Sequence, residues 1–477
     1  MLSMICRTRR RATCAAALVG ALLAGALIVS CGSGPSRPNI VLIVIDTLRA
    51  DHLGCYGYKK DPAPFLSELA QRGVLFENVH STSSWTAPAT ASLLTSLHPR
   101  QHGVHTGLVA TQQMLRTDPN IALNRIPENA LTAAEVFREA GYSTWGVSDN
   151  VNVCEGMGFA QGFDNFRELV DLGADKVNEI VAEWQKGLGA GQPYFLYLHY
   201  MDPHRPYRQR APWYQPVQGE LLNAIAEYDS EIRFVDENIR ELHDLLRWER
   251  GTWVVIVSDH GEEFQDHGGW DHGRTLYAEV LDVPLLICPP AGTLKTDSGE
   301  VSDGRTAAGE AAAAPAPGSK HPAASGRKGA ARRVAQHVSL LDVLPTLRSI
   351  AGLPAGPAEQ GVSLISAVRG GKALPGQRRM FAELHSPPWF GLKSIKAVIQ
   401  NNHKYVITLP DEEELYDLAA DPGEQRSLAG QRESVVRDLR AQLGLFEAEF
   451  PMVLPDSVRT TLDPELIEKL RSLGYVK

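Results

Sequence analysis

Three apolar runs in this sequence are each followed at once by side chains that can bind a metal or move a proton. The runs span 39–45, 194–198 and 253–257, and the residues behind them are Asp46, then His199, Asp202 and His204, then Asp259 and His260. Apolar runs without polar alternation are typical of strands covered on both faces, as in parallel sheets. Ligands bind beyond the carboxyl ends of such strands, so these side chains are expected to meet at one edge of a sheet.

The stretch from Asp259 to Gly273 is dense in acids, histidines and glycines. Glycine lets the backbone turn tightly around a site. Asp and His ligands together suit Zn or Mn, and Ca or Mg would be possible if carboxylates dominated. The sequence therefore predicts a divalent metal bound by Asp and His side chains at these strand ends. An ordinary solvated loop is the alternative for the glycine-rich part.

A hydroxyl that could act as a nucleophile lies in the segment 83–95. Pro88, followed by Ala and Leu residues, predicts a helix whose N-terminus falls near Thr86. Thr86 is then either a helix cap and nothing more, or an attacking group placed where free helix amides and the dipole favour an oxyanion. A bound metal would lower the pKa of that hydroxyl. The local sequence leaves both interpretations open.

The elements that would position these residues alternate between strands and helices. Apolar residues from Ile225 to Leu246 recur at steps of three and four, which is one face of a long helix. The alternation predicts an α/β fold: a doubly wound, mostly parallel central sheet flanked by helices, with a small C-terminal α+β subdomain. Further predicted elements are a helix over 338–350, a strand over 404–408 and helices over 433–449 and 463–473.

Changes in composition predict the domain boundaries. The catalytic α/β domain covers 39–291 and 334–390. Residues 292–333 are rich in Ala, Gly, Ser and Pro and form a disordered insertion, because they cannot bury enough apolar area to offset their ordering entropy. The C-terminal subdomain covers 391–450, and residues 451–477 form a tail with a short helix.

Residues 1–30 predict a secretory signal that is removed from the mature chain. Residues 1–13 carry four Arg and no acid, and residues 15–29 are apolar but too few for a comfortable membrane span. Cys31, at the start of a flexible linker over 31–38, resembles the lipidated Cys of a bacterial lipobox. We therefore expect a lipoprotein anchored to the membrane in the bacterial cell envelope. An uncleaved signal anchor is the alternative.

The net charge of −9 argues against nucleic acid and against an anionic lipid surface as partners. An enzyme acting on anionic esters must then supply positive charge locally, and a bound metal is a compact way to do so. Three Cys would remain unmodified in the mature chain: Cys55, Cys154 and Cys288. An odd number at wide spacing is neither a disulfide framework nor a zinc cage.

Six segments, in order along the chain, resemble the sulfatase family of the alkaline phosphatase superfamily. They are 38–58 (PNIVLIVIDTLRADHLGCYGY), 93–104, 202–207 (DPHRPY), 258–262 (SDHGE), 283–286 (VPLL) and 414–422. The resemblance implies the same α/β fold that the alternation of strands and helices predicts. It also implies a metal-dependent hydrolase of anionic esters, whose substrate is a small molecule, a glycan or a lipid.

Three positions depart from the sulfatase pattern. Sulfatases carry Cys or Ser in C-x-P-x-R, and alignment on Pro88 places Thr86 at that residue and Thr90 at the Arg. A secondary alcohol cannot be oxidised to an aldehyde, so the formylglycine chemistry of sulfatases is closed to Thr86. Thr47 replaces the second Asp of the sulfatase metal pair. The remaining metal set is Asp46, Thr86, Asp259 and His260.

This remaining set resembles the Thr-nucleophile members of the superfamily, such as nucleotide pyrophosphatases, lipoteichoic acid synthases and phosphoethanolamine transferases. The likeness implies a two-step displacement through a phospho-threonine. His204 and His272 would hold nonbridging oxygens or protonate the leaving group. With Asp202 they could instead bind a second metal. His199 is a further candidate for the active site. His385 is supported as a candidate only by its position late in the sequence.

Four functions are compatible with the sequence. The first is a phosphoester or phosphodiester hydrolase with Thr86 as nucleophile, and the second a sulfuric ester hydrolase that works without formylglycine. The third is a phosphoryl-group transferase acting on envelope lipid or glycan. The fourth is a non-catalytic binding protein, against which the retained Asp46, Asp259 and His260 speak. The sequence leaves the metal, its number, the substrate and the oligomeric state open.

Overall fold

The computed structural model describes residues 37–108, 124–294, 332–370, 373–385 and 393–453. The predicted signal, the predicted lipidation site Cys31 and the predicted tail helix over 463–473 lie outside these residues, as does most of the predicted insertion. Apart from Arg37, the described residues belong to one compact unit, Pro38–Lys477. In the part of this unit that the structure describes, no helix combines the length and apolar character that a bilayer crossing needs.

Fourteen strands in the described residues form three sheets. In chain order they are β1 (Asn39–Ile45), β2 (Val74–His80), β3 (Ser143–Ser148), β4 (Asn165–Glu168), β5 (Tyr194–Tyr200), β6 (Thr252–Val257), β7 (Glu263–Phe264), β8 (Trp270–Asp271), β9 (Leu285–Cys288), β10 (Arg332–Ser339), β11 (Met380–Leu384), β12 (Ile395–Gln400), β13 (His403–Thr408) and β14 (Glu412–Asp417). The large sheet has the order β10-β2-β9-β6-β1-β5-β3-β4, and only β9 runs against its neighbours. The mostly parallel sheet predicted from the sequence is confirmed.

Helices cover both faces of this sheet. They are α1 (Pro64–Arg72), α2 (Thr86–Thr95), α3 (Pro99–His102), α4 (Ala133–Glu139), α5 (Ala174–Trp184), α6 (Glu220–Leu246), α7 (Ala278–Leu281), α8 (Val343–Ile350), α9 (Ile365–Val368) and α10 (Glu433–Glu449). Short 3-10 turns cover Ala50–His52, Gly54–Tyr56, Glu155–Met157 and Leu340–Asp342. The long helix predicted to end at Leu246 and the helix predicted over 433–449 are both present.

Strand β1 shows why the predicted strands carry no polar alternation. Ile40, Leu42 and Val44 pack into the hydrophobic cluster on one face of the sheet, which includes α2. Val41, Ile43 and Ile45 pack into the cluster on the other face, which includes α6. Each of these six side chains is almost fully buried, and burial of a Val, Leu or Ile side chain stabilises a fold by about 1.5–3 kcal/mol. The rigid sheet can therefore hold polar residues at its ends in fixed positions.

Three sequence-based boundaries differ from the structure. Val338 belongs to edge strand β10, which pairs with β2, so the predicted helix begins only at Val343. Arg333, assigned to the insertion, also belongs to β10 and forms an ion pair with Glu77. The strand Met380–Leu384, assigned to the catalytic domain, pairs with β12 and so belongs to the C-terminal sheet β11-β12-β13-β14. These residues lie at edges, where packing on one side leaves a weak sequence pattern.

A buried ion pair joins the C-terminal sheet to the helices around the large sheet. Arg100, in α3, lies 2.8 Å from Glu383 of β11, and both side chains are at most 4% exposed. The same guanidinium contacts Glu447 at 3.0 Å and donates to the Phe450 carbonyl at 2.9 Å, both at the end of α10. The Glu383 amide donates to the carbonyl of Thr82 at 2.9 Å, just upstream of Thr86. This pair therefore ties α10, the C-terminal sheet and the segment before α2 together.

We expect Glu383→Ala to lower the free energy of unfolding by up to about 3–5 kcal/mol, because it removes the fully buried partner of Arg100 and leaves that charge with only the partly exposed Glu447. Equilibrium urea denaturation followed by tryptophan fluorescence measures this. The matched control is Glu413→Ala, which removes the partner of the exposed Arg440 and should cost about 0–1 kcal/mol. Equal losses from the two variants would contradict a structural role for the buried pair.

The same pair predicts an acid-dependent loss of stability. Burial raises the pKa of Glu383, but the neighbouring His385 and Arg100 outweigh it and lower the pKa to about 2. A carboxyl with a depressed folded-state pKa stabilises the fold above its unfolded value, and this contribution is lost as the pH falls from about 4.5 towards 2. Wild-type stability should therefore fall more steeply across this range than that of Glu383→Ala.

Candidate active site

Four strands of the large sheet end level with one another. The register places Ser148 of β3, His199 of β5, Val44 of β1 and Val257 of β6 in one row across the sheet. The residues two positions beyond this row are Asn150, Met201, Asp46 and Asp259. Parallel pairing thus brings polar side chains from separate parts of the chain to one edge, as the sequence predicted for Asp46 and Asp259.

Asp46, Asp259 and His260 form the only group of three or more potential metal ligands in the described part of the chain. The Nε2 atom of His260 lies 3.4 Å from Asp46 Oδ1 and 3.6 Å from Asp259 Oδ2. All three side chains are fully buried. The structure therefore brings three of the four predicted metal residues together, and the fourth, Thr86, lies with its hydroxyl 3.2 Å from His260 Nε2.

The hydrogen bonds of His260 show which of its ring nitrogens is available. Its Nδ1 lies 2.9 Å from the carbonyl oxygen of Gly261, which can only accept, so Nδ1 carries the proton. In the neutral ring Nε2 is then a lone pair facing two carboxylates. Burial and contact with His272 lower the pKa of His260 to about 3, which keeps this ring neutral. A cation placed between these lone pairs would offset their mutual repulsion.

The unpaired atom Asp46 Oδ1 supports the same conclusion. It is buried and has no hydrogen-bonding partner among the described residues, which is costly for a carboxylate. Burial and the Asp46 charge together raise the pKa of Asp259, as expected for two acids that need a shared positive charge. Two carboxylates and one imidazole are a donor set that suits a divalent cation, so these residues fit a metal.

The second oxygen of Asp46 is held by three donors. Oδ2 accepts hydrogen bonds from Asn150 Nδ2 at 2.5 Å, His199 Nε2 at 3.0 Å and Thr86 Oγ1 at 3.4 Å. His199 is oriented in turn by the Tyr197 hydroxyl, 2.8 Å from its Nδ1. Burial opposes ionisation of Asp46, but the hydrogen bond from His199 lowers its pKa. These contacts hold the carboxylate ionised with Oδ1 directed at the metal group.

Thr86 occupies the first position of α2, one residue inside the helix, since Trp85 is the N-cap. Its hydroxyl lies 3.2 Å from His260 Nε2 and 3.4 Å from Asn150 Nδ2. The first-turn amides of Thr86 and Ala87 have no intrahelical acceptor and lie at the positive end of the helix dipole. The interpretation of Thr86 as a cap and nothing more is wrong: the side chain caps no amide and instead contacts the metal group.

Thr90, which stands where sulfatases carry an Arg, donates to Asp259 Oδ2 at 3.4 Å. Thr47, which replaces their second metal-binding Asp, has a positive φ of 56° and a buried hydroxyl without a partner among the described residues. Thr90 therefore contacts a carboxylate of the metal group through its hydroxyl, and Thr47 lies directly beside Asp46. The site carries fewer charged groups than the sulfatase pattern implies.

His272 and His204 continue from the metal group towards solvent. The ring of His272 lies 4.4 Å from that of His260 and 4.9 Å from that of His204, measured between centroids. Glu262 accepts from His272 Nδ1 at 2.8 Å and from the Tyr207 hydroxyl at 2.9 Å. Burial lowers the pKa of His272, but the Glu262 charge outweighs it and raises this pKa.

Sequence reasoning missed the roles of two residues here. Asn150 lies just beyond the end of β3, but the segment Ser143–Ser148 is too polar to predict a buried strand, so its end gave no signal. Glu262 lies within the sulfatase-like segment 258–262, yet its contact with His272 depends on the path of the β7–β8 hairpin. Neither role is visible without the fold.

The structure does not assemble the predicted second metal site. Asp202 is buried and forms an ion pair with Arg210 at 2.6 Å, and Arg210 also binds Glu231 at 2.6 Å. Asp202 is thus engaged by a guanidinium and does not combine with His204 and His272 into a ligand group among the described residues. The loop that turns Asp202 towards Arg210 was not predictable from its sequence.

His385 lies apart from the metal group. Its ring contacts that of His105, with centroids 4.4 Å apart, and its Nε2 is 3.5 Å from Glu383. It belongs to the network around Arg100 that joins the C-terminal sheet to the body. The structure gives it no contact with Thr86 or with the metal group among the described residues.

We expect Asp259→Asn to reduce the metal affinity of the purified protein by more than the 10–100-fold typical of outer-shell changes, because it removes a direct ligand. Metal content measured by mass spectrometry after dialysis at fixed free Zn²⁺ or Mn²⁺ tests this. Asp202→Asn is the matched control: it also neutralises a buried Asp, but one bound by Arg210, and should leave the content unchanged. An equal loss in both variants would contradict the assigned ligand set.

Comparison with known proteins agrees with this geometry. The sulfatase family model matches residues 38–353. A Δ4,5-hexuronate-2-O-sulfatase from Bacteroides thetaiotaomicron is 23% identical over 467 residues, which cover 85% of this chain and 87% of that protein.

Solved structures share the fold. A Bacteroides thetaiotaomicron protein assigned to the sulfatases aligns with a TM-score of 0.67 at 20% identity, covering 90% of this chain and 96% of the other. The phosphonate monoester hydrolase of Agrobacterium radiobacter aligns with a TM-score of 0.66 at 19% identity, covering 89% and 100%. Together with the match over 38–353, these likenesses show that the chain belongs to the sulfatase family of metal-dependent ester hydrolases.

Proposed function

We propose that this sulfatase-family enzyme hydrolyses phosphate esters or diesters through a covalent intermediate on Thr86. The observation that carries the proposal is the position of the Thr86 hydroxyl, 3.2 Å from His260 Nε2 within the metal group. Threonine cannot become formylglycine, so the hydroxyl itself is the available nucleophile. Superfamily members with Thr at this position, which the sequence also resembles, act on phosphoryl groups.

The reaction follows from the contacts of Thr86. Its oxygen attacks phosphorus, the bond from phosphorus to the leaving oxygen breaks, and a phospho-threonine and an alcohol result. Water then attacks the same phosphorus, which releases phosphate or a phosphate monoester and restores the hydroxyl. Asn150 Nδ2 and the first-turn amides of α2 are placed to stabilise the charge that develops on the nonbridging oxygens.

A divalent metal held by Asp46, Asp259 and His260 would supply the positive charge that lowers the pKa of the Thr86 hydroxyl and offsets the charge of the ester. Neighbouring residues of the chain orient the carboxylates that would hold this metal. Asn150 and His199 hold Asp46 in orientation, and Thr90 holds Asp259.

His272 is placed to give a proton to the leaving oxygen. Its Nδ1 is bonded to Glu262, so Nε2 is the atom that faces away from this carboxylate. Glu262 does not touch the reacting atoms; it is a positioning residue that fixes the ring and favours its protonated form. His204, whose ring lies beside that of His272, is placed to hold a nonbridging oxygen.

A sulfuric ester hydrolase that works without formylglycine is the second candidate. The relatives found by sequence favour it, because the Bacteroides relative is a sulfatase. The likeness to phosphonate monoester hydrolases from Agrobacterium radiobacter and Silicibacter pomeroyi supports the first candidate. A direct comparison of paired substrates separates the two.

We expect Thr86→Ala to reduce turnover of bis- and mono-aryl phosphates by about 10³-fold or more, because it removes the nucleophile and leaves the metal ligands in place. Thr86→Ser keeps a hydroxyl and should retain measurable turnover, with its intact mass confirming an unmodified Ser. Release of the aryl alcohol by the metal-loaded protein is the measurement.

The same assay includes aryl sulfates with identical leaving groups. Release of sulfate but not phosphate by the wild type would replace the first candidate by the second. Aryl ester turnover that survives Thr86→Ala would show that the nucleophile lies elsewhere. An added alcohol acceptor that yields a transfer product would indicate a transferase.

We expect Glu262→Gln to lower kcat by about 10–100-fold for a phenyl ester but much less for a 4-nitrophenyl ester, whose leaving group needs little protonation. The dependence of kcat on the leaving-group pKa measures this. Glu263→Gln is the matched control: this neighbouring buried Glu accepts from the His267 and Gly269 amides and should leave that dependence unchanged. An equal loss for both esters in Glu262→Gln would contradict an acid role for His272.

A further inference from the structure

The three histidines beyond Thr86 mark a route from the buried metal group to solvent. Their rings are in successive contact, at 4.4 Å from His260 to His272 and 4.9 Å from His272 to His204. The His260 side chain is fully buried, that of His272 is 16% exposed and that of Arg205, the residue after His204, is 51% exposed. An ester bound at Thr86 would extend its non-reacting part along this side.

An ion pair stands at the outer end of that route. Arg205 donates through Nη1 to Asp271 Oδ1 at 2.8 Å, and its guanidinium lies 5.8 Å from the centre of the Trp270 ring. Arg205 adjoins His204, and Asp271 adjoins His272. The two loops that carry the histidines thus each contribute one partner of the pair.

This rim is fixed relative to the nucleophile. Gly273, two residues after Asp271, donates its amide to the carbonyl of Ser84 at 2.8 Å, and Ser84 is two residues before Thr86. A Cβ at Gly273 would come within 3.5 Å of the Trp85 side chain, so the two segments are in close contact. The positions of Arg205 and Thr86 are therefore coupled by a short path through the chain.

Arg205 has capacity beyond its contact with Asp271. A guanidinium has five N–H donors, and the structure gives Arg205 one protein acceptor among the described residues, through Nη1. An exposed ion pair of this kind adds about 0–1 kcal/mol of stability, so stability does not explain its place at the mouth of the site. The remaining donors, beside an aromatic ring, match an anionic group on a planar or cyclic substrate.

We propose that Arg205 is a specificity-determining residue that binds a second anionic group, carried by the part of the substrate that does not react, with Trp270 packing against its ring. The inference rests on the proposed function for the location of the reacting ester at Thr86. The substrate class is then an ester of an acidic ring compound, such as a sugar that bears a carboxylate, sulfate or phosphate. Asp271 holds the guanidinium in place and competes with that anion.

Binding of non-hydrolysable probes tests this without reliance on turnover. The probes are meta- and para-carboxybenzyl phosphonates and sulfonates, each paired with its neutral carboxamide analogue, titrated by calorimetry into the metal-loaded protein. For at least one isomer the wild type should bind the carboxylate about tenfold or more tightly than the carboxamide, as expected for a charge-assisted contact. Arg205→Ala should bring that ratio to about one, and Asp271→Asn should increase it.

The matched control is Arg440→Ala, which removes an Arg of similar exposure from an ion pair on the C-terminal subdomain. It should leave the ratio at the wild-type value. A wild-type ratio of about one for every pair, or a ratio that Arg205→Ala does not change, would overturn the inference. A wild-type ratio of tenfold or more that Arg205→Ala abolishes, found together with no turnover of any ester, would contradict the proposed function instead, because the paired probes differ only in the group that contacts the rim.

Discussion

Two carboxylates and an imidazole lone pair converge where all three side chains are fully buried. An uncompensated charge costs many kcal/mol in such surroundings. The carboxylates of Asp46 and Asp259 therefore need a compensating positive charge beside His260. The hydrogen bonds around them leave one direction open: His260 Nδ1 is bonded to a carbonyl, and Asp46 Oδ2 receives three donors. The atoms that face one another are Asp46 Oδ1, His260 Nε2 and Asp259 Oδ2, which also accepts from Thr90, and the rest of the site is built around these three.

The sheet makes this convergence possible. Strands β1 and β6 are adjacent and parallel. Asp46 and Asp259, each two positions past the same row, therefore meet although they are far apart in the sequence. Both faces of β1 are packed against separate hydrophobic clusters. The free energy gained by that burial offsets the cost of holding charged side chains at the strand ends. Thr86, the proposed nucleophile, is positioned differently: it lies on the first turn of α2, beside the unpaired amides of a helix N-terminus.

The sequence predicted the parts of this site that depend on parallel strands. Asp46 and Asp259 follow apolar runs that can only be buried strands, and Thr86 follows from the helix signal around Pro88. It could not predict contacts that depend on loop paths. Whether Asp202 turns to Arg210 or to the histidines is decided by the loop after β5, and the role of Glu262 by the β7–β8 hairpin. Short strands were equally invisible: four residues of β9 do not reveal that it runs against its neighbours.

The substitutions relative to the sulfatase pattern change the chemistry in a consistent direction. A sulfatase Arg and a second metal-binding Asp are both replaced by threonine, at Thr90 and Thr47, so one positive and one negative charge are removed together and the net charge of the site is kept. Thr90 holds Asp259 through a hydrogen bond from its hydroxyl, whereas an Arg at the same place would form an ion pair with Asp259. With the formylglycine reaction closed at Thr86, the proposed reaction depends on the hydroxyl's own acidity near the metal group. Selectivity among esters must then come from residues outside the metal group. In the described structure, the histidines that lead from His260 to the exposed Arg205 extend from the metal group towards solvent.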